Sequence, residues 1–222
     1  MTTLRGRTAL VTGGVRRVGG AVARAVAAAG ATVITTARSD SDIDADLSTR
    51  EGVETLLAAL PQIDVLVNCA ANFIREDFGS VTWENFDSTF AINLRAPFFL
   101  SQSLGLRMKE RGFGRIVSIA DIAATLPFPA WLPYSLSKAG IVALTRGLAR
   151  ALAPAVLVNA VAPGPVLLPE GLSEQDTKQA VEPTLLKRPG SAEDVASAVV
   201  FLLESDYITG VTLPVDGGRL LR

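Results

Sequence analysis

Apolar residues recur along this chain with two alternating periods. Short, nearly unbroken apolar runs bounded by turn residues predict strands at Thr8–Thr12, 32–36, Val65–Asn68, 115–119, 156–161 and 211–215. Between them, apolar positions three and four apart predict helices. Over residues 18–29, Val18, Val22, Ala25, Val26 and Ala29 fall on one helical stripe, closed by Gly30. Ser48-Thr-Arg-Glu51 has the form of a capping box, opening a helix that ends near Pro61. Further helices are predicted at 82–111, 132–153 and 191–203, the last with Ser191 and Asp194 at its N-terminal cap. Strands that are apolar on both faces, each followed by a helix, imply an α/β fold. It is a doubly wound parallel sheet of about seven strands with helices on both faces. No linker, repeat or low-complexity segment divides the chain, so residues 1–222 are expected to form a single domain. Residues 163–188 are the one long stretch without a periodic pattern and are expected to act as a substrate lid.

Composition narrows the function classes. A net charge of −1 gives no electrostatic footprint for nucleic acid. No apolar run approaches the ~18 residues of a membrane span. The residues before the first strand lack a signal-peptide stretch, so a cytoplasmic protein is expected. The single cysteine, Cys69, cannot form an intrachain disulfide and fits a reducing compartment. Histidine is absent, which removes Ser-His-Asp and Cys-His nucleophilic catalysis and most zinc sites; no metal is expected.

Three segments carry chemistry. Thr12-Gly-Gly-Val-Arg-Arg-Val-Gly19 lies between the first strand and the first helix, where a dinucleotide pyrophosphate meets a helix N-terminus. Glycines there permit a tight turn, and Arg16 and Arg17 add cations suited to phosphate. The second strand ends in Thr35-Thr-Ala-Arg38-Ser39, with a cation rather than an acid at its tip. This predicts NADP(H) over NAD(H), although Asp40 and Asp42 follow closely. Third, Tyr134 and Lys138 share a helical face, and a neighbouring ammonium is expected to lower the phenol's pKa and make Tyr134 a proton donor. Asp121 precedes Tyr134 by thirteen residues. Each residue also has a plainer reading: Asp121 as a turn cap, Phe73 as core, Lys138 as a solvated helix residue.

Together these pieces resemble the short-chain dehydrogenase/reductase family along nearly the whole chain. The resemblance rests on Thr12, Gly13 and Gly19, on Asn68-Cys-Ala-Ala71, and on Asn93. It continues through Tyr134/Lys138, Asn159-Ala-Val-Ala-Pro-Gly164 and Val215-Asp-Gly-Gly218. It implies a Rossmann-type sheet and hydride transfer from a nicotinamide. Tyr134 and Lys138 would be catalytic, and Asn93 would sustain a water-linked proton path. Cofactor contacts are implied for Thr12, Gly13, Arg16, Arg17, Val18, Arg38, Ser39, Asp46, Leu47, Asn68, Ala70, Pro163, Gly164 and Val166, with Tyr134 and Lys138. The family also implies a homotetramer packed through the helices at 82–111 and 132–153.

Two departures from the common family pattern resemble the pteridine reductase branch. Arg17 replaces the middle loop glycine, and Asp121 replaces the usual catalytic serine. Phe73 then sits where that branch stacks an aromatic on the pterin, whereas Ala71 lacks the branch's hydroxyl and Leu168 replaces a common threonine. An ionised carboxylate cannot donate to a developing alkoxide, so Asp121 disfavours ketone reduction unless it stays protonated. The substrate-binding set expected on this basis is Arg17, Phe73, Asp121 and Tyr134; NADPH would deliver hydride to the C=N bond of a dihydropterin or dihydrofolate-like ring, with Asp121 catalytic in a proton relay with Tyr134 and Lys138. The alternatives are a carbonyl reductase of the same family, for example of 3-oxoacyl thioesters, and a non-catalytic NADP-binding regulatory module. Trp131 and Leu132 line either the pocket or a subunit contact.

Overall fold

The computed structural model describes residues 2–167 and 173–222. Strands and helices alternate as the patterning predicts: β1 (Thr8–Thr12), α1 (Arg17–Ala28), β2 (Thr32–Ala37), β3 (Ile43–Asp44), α2 (Arg50–Ala59), β4 (Val65–Asn68), α3 (Trp83–Phe90), a π-helical turn (Ala91–Arg95) and α4 (Ala96–Glu110). They continue with β5 (Gly114–Ile119), α5 (Leu132–Leu152), β6 (Val156–Pro163), α6 (Glu174–Val181), α7 (Ala192–Glu204) and β7 (Thr212–Val215). All seven strands pair in parallel, in the order β3-β2-β1-β4-β5-β6-β7.

Because side chains alternate along a strand, each central strand feeds two cores. Ala9, Val11, Val65, Val67 and Val117 pack on one face against Val22 and Val26 of α1 and Val195, Val199 and Leu202 of α7. Leu10, Leu66, Ile116 and Val158 pack on the other against Leu56 of α2, Leu100 and Leu104 of α4, and Leu152 of α5. The order reverses between β1 and β4, and at such a switch point the strand ends part to leave a crevice. Thr12 pairs in register with Asn68 at that point.

Four expectations need correction. The seventh strand, β3, carries only two residues and joins β2 through residues 38–42, far less chain than a parallel crossover usually needs. The loop is braced from within: Asp42 accepts from the Thr35 N–H at 2.8 Å and hydroxyl at 2.7 Å, and Ser41 accepts from the Ala37 N–H at 2.9 Å. The cap of α2 is Thr49, not Ser48, since both the N–H and the hydroxyl of Ser48 are taken by Asp46. The helix at 82–111 is interrupted by the π turn. Residues 163–188 are not irregular throughout, because they contain α6. At Ser191 and Asp194 the capping box is complete.

Candidate active site

A cleft of about 880 Å³ opens at the β1/β4 switch point. Its floor is the glycine turn. Gly13 has φ +65°, and a Cβ there would lie 2.9 Å from the Ala70 Cα; a Cβ on Gly19 would lie 2.0 Å from the Gly13 carbonyl. Both positions exclude side chains, so backbone comes close to whatever fills the cleft. Thr12 stitches the floor together, its hydroxyl accepting from the Cys69 and Ala70 N–H groups at 3.0 Å each.

Arg16, Arg17 and Val18 line one wall, Arg38, Ser39, Asp46 and Leu47 the end beyond β2, and Ala70 and Ala71 the middle. Pro163, Gly164 and Val166 close the side after β6. Of the two acids that follow the β2 tip, Asp42 is engaged elsewhere, whereas Asp40 accepts from the Ser39 hydroxyl at 3.0 Å. Asp42 is held by Thr35, and Asp44 accepts from Ser41, which keeps both carboxyls below the usual carboxylate range. Arg38 lines the cleft at the end of the strand, and Asp40 is not among the lining residues. The donor set fits a dinucleotide carrying a 2′-phosphate: a glycine cradle against a helix start, with arginines at both phosphate positions. Among the described residues no cluster of three His, Cys, Asp or Glu could hold a metal.

The reactive groups meet at the far end of the cleft. The Tyr134 phenol donates to Asp121 Oδ2 at 2.9 Å, while Asp121 Oδ1 accepts from the Ala123 N–H at 2.8 Å. Asp121 is therefore both the turn cap of its plainer reading and the tyrosine's partner. Lys138 is buried and donates to the Ile119 carbonyl at 2.7 Å; its Nζ lies 5.5 Å from the centre of the Tyr134 ring. Burial, and then the Asp121 carboxylate, push the Tyr134 pKa well above its ordinary value. This reverses the expected lowering. The i,i+4 spacing brings the ammonium near, but the direct contact is with an anion in a desolvated pocket. Burial likewise raises Asp121 and lowers Lys138.

Asn93 and Asn68 sit behind the wall. Asn93 accepts the Asn72 N–H at 2.9 Å and donates to the Asn72 carbonyl and to Ser137, each at 3.1 Å; Ser137 in turn donates to the Tyr134 carbonyl at 2.6 Å. The Asn68 amide donates to Ser101 and Ser118. Phe73 is 55% exposed, which excludes the core reading. It stacks on Trp131 at 5.3 Å and meets the Tyr134 ring edge-on at 4.6 Å. Arg17 lines the cleft, and its guanidinium donates to the Leu167 carbonyl. Leu168 lies outside the described residues. Sequence reasoning missed Asn72, Ser88 and Ile92, which also line the cleft. Asn72 adjoins Asn68-Cys-Ala-Ala71, and that adjacency was the available signal.

The profile described as enoyl-(acyl carrier protein) reductase matches residues 39–219. The chain belongs to the short-chain dehydrogenase/reductase family. Among curated relatives in this family, the 3-oxoacyl-acyl-carrier-protein reductase of Rickettsia felis is 32% identical over 241 residues, covering 100% of both chains. Dehydrogenase/reductase SDR family member 4 of Homo sapiens is 34% identical, over 97% of this chain and 88% of that one. Among solved structures, one described as an NAD(P)-dependent gluconate 5-dehydrogenase from Beutenbergia cavernae with bound NADP superposes with a TM-score of 0.93. It is 33% identical and covers 99% of each chain. A blue fluorescent protein from a metagenomic library, described in complex with NADPH, superposes with a TM-score of 0.87 at 33% identity, over 98% and 99% of the two chains. Family membership makes this chain a nicotinamide-dependent oxidoreductase on a Rossmann-type fold.

Proposed function

We propose that this protein is an NADPH-dependent carbonyl reductase whose acceptor is a 3-oxoacyl thioester. The observation that carries this reading is end-to-end kinship with proteins named 3-oxoacyl-acyl-carrier-protein reductases, at 31–34% identity over 100% of both chains. NADPH supplies the hydride when bound. Arg16 and Arg17 hold its phosphates, and Arg38 with Ser39 holds the 2′-phosphate. Tyr134 gives its phenolic proton to the acceptor oxygen as negative charge develops there, and Lys138 stabilises the phenolate left behind. Asp121 accepts from the Tyr134 phenol that gives this proton, which would place it near the same oxygen. Burial moves it toward its protonated form, in which it can donate as a serine would. Asn93 holds the Asn72 backbone and, through Ser137, the Tyr134 turn of α5. Phe98, Phe99 and Leu136 are exposed on α4 and α5, and we propose association into a homotetramer through these helices.

A second reading is favoured by one specific arrangement. Phe73 is exposed beside Tyr134, and a carboxyl stands where the family keeps a serine. A pteridine would place a flat ring against Phe73, ring N–H groups on Asp121, and a C=N nitrogen near Tyr134. The relatives' names, which cover thioester and sugar substrates, favour the carbonyl reading.

One experiment separates the readings: NADPH absorbance followed with acetoacetyl thioester, dihydrobiopterin and dihydrofolate in parallel. Oxidation with the thioester alone is the expected result. Oxidation with the pteridines alone would replace it with the second reading. Tight NADPH binding without oxidation by any of the three would leave a regulatory module.

A further inference from the structure

Arg17 makes a contact that phosphate recognition does not require. Its guanidinium donates a hydrogen bond of 2.6 Å to the backbone carbonyl of Leu167, 150 residues away. Arg17 opens α1 and lines the cleft, and Leu167 follows β6, next to Val166, which also lines it. Arg17 and Leu167 both have left-handed backbone, φ +52° and +47°. That conformation is costly for residues other than glycine and persists where neighbours hold it. The chain leaving β6 is pinned step by step. Gly164 N–H donates to the Val215 carbonyl at 3.0 Å, Val166 N–H to that of Gly164 at 2.8 Å, and Gly190 N–H to that of Pro165 at 3.0 Å. At Leu167 the guanidinium takes over. A guanidinium carries five N–H donors in a rigid fork, enough for a carbonyl and a phosphate at once.

We propose that Arg17 is a cross-cleft tie, a positioning residue that couples phosphate binding in the glycine loop to the backbone leaving β6 toward the acceptor side. A phosphate oxygen fixes the plane of the guanidinium, and the fixed guanidinium fixes the Leu167 carbonyl. Coupling of this kind is reciprocal: whatever holds the Leu167 carbonyl in place also strengthens cofactor binding. The tie rests on the NADP(H) site proposed above.

Limited trypsinolysis tests it at Lys178 and Lys187, which lie beyond Leu167 and are exposed. Cofactor saturation is checked separately by NADPH fluorescence. Saturating NADP⁺ is expected to slow cleavage of the wild type about tenfold, and Arg17→Met to lose that protection at saturation. Without cofactor, Arg17→Met is expected to be cut faster than the wild type. Wild-type protection in Arg17→Met, or equal cofactor-free cleavage, overturns the tie. Should the methionine variant misfold, Arg17→Lys, which keeps the charge without the fork, is scored in the same way. A wild type that binds no NADPH fails the cofactor reading, whereas one that binds NADPH without protection fails only the tie.

Discussion

Asp121 and Tyr134 share one hydrogen bond, with the phenol as donor and a buried carboxyl as acceptor, and it ties the protonation of each to the other. Asp121→Asn removes the charge and keeps one acceptor, for the Ala123 N–H, while its amide NH2, a donor, replaces Oδ2 beside the phenol. NADPH-dependent turnover is expected to fall by about 10²-fold or more, the usual weight of a positioned proton donor. Stability should move the other way. The folded protein raises the Asp121 pKa above 3.8, so the proton is held more tightly folded than unfolded. The associated stability is complete below the unfolded value and is lost as pH rises through the raised folded value. Thermal melts are therefore expected to show Asp121→Asn above the wild type at pH 7.5, with the gap closing near pH 4. Identical gaps at both pH values would count against this assignment.

Arg38 is the cation that lines the cleft at the end of β2, where Asp42 is held by Thr35 and Asp40 is not among the lining residues. Arg38→Glu is expected to lower kcat/KM for NADPH roughly 10- to 100-fold. That matches about 1.5–3 kcal/mol for hydrogen bonds to a charged group. The value for NADH should hold or rise. Paired steady-state kinetics with the two cofactors decide the point, and parallel losses for both would remove Arg38 from the 2′-phosphate site.

Two glycines should respond oppositely to the same substitution. At Gly19 an added Cβ meets the Gly13 carbonyl at 2.0 Å, so Gly19→Ala must distort the phosphate loop. At Gly147, inside α5, nothing lies within 4 Å. Gly147→Ala is expected to gain about 0.5–1 kcal/mol from helix propensity. Urea denaturation and NADPH titration read both: the first variant should lose binding, and the second should unfold at higher urea.

Cys69 lines the cleft, yet burial pushes its thiol up to about 11. An unperturbed cysteine near 8.5 carries more than about 100-fold more thiolate at pH 8. Folded protein is therefore expected to react far more slowly with a disulfide reagent than protein in denaturing urea. Comparable rates would show that the thiol is open to solvent.

The layered sheet was legible because its strands are unbroken apolar runs, and Val65–Asn68 and Val156–Pro163 could be little else. Ile43–Asp44 was hidden because two residues carry no period. α6 was hidden because Glu-Gln-Asp-Thr-Lys-Gln-Ala-Val has no apolar stripe. At the site, residue types and spacing located Tyr134, Lys138 and Asp121 but not the direction of the phenol's shift, which depends on burial and on which partner it touches. The bond from Arg17 to Leu167 spans too much sequence for any local pattern to signal it.

The π turn at Ala91–Arg95 has a consequence for the whole rod from Trp83 to Glu110. A π turn accommodates one extra residue, and each residue of a helix advances about 100° around its axis. The insertion thus acts as a phase shifter. It lets Ser88 of the upstream half accept from the Asn72 side chain and Asn93 of the turn hold the Asn72 backbone, while the downstream half turns Leu100 and Leu104 onto the sheet. Deleting one residue there would restore an ordinary helix and put the two halves out of step, so that only one could keep its proper face inward.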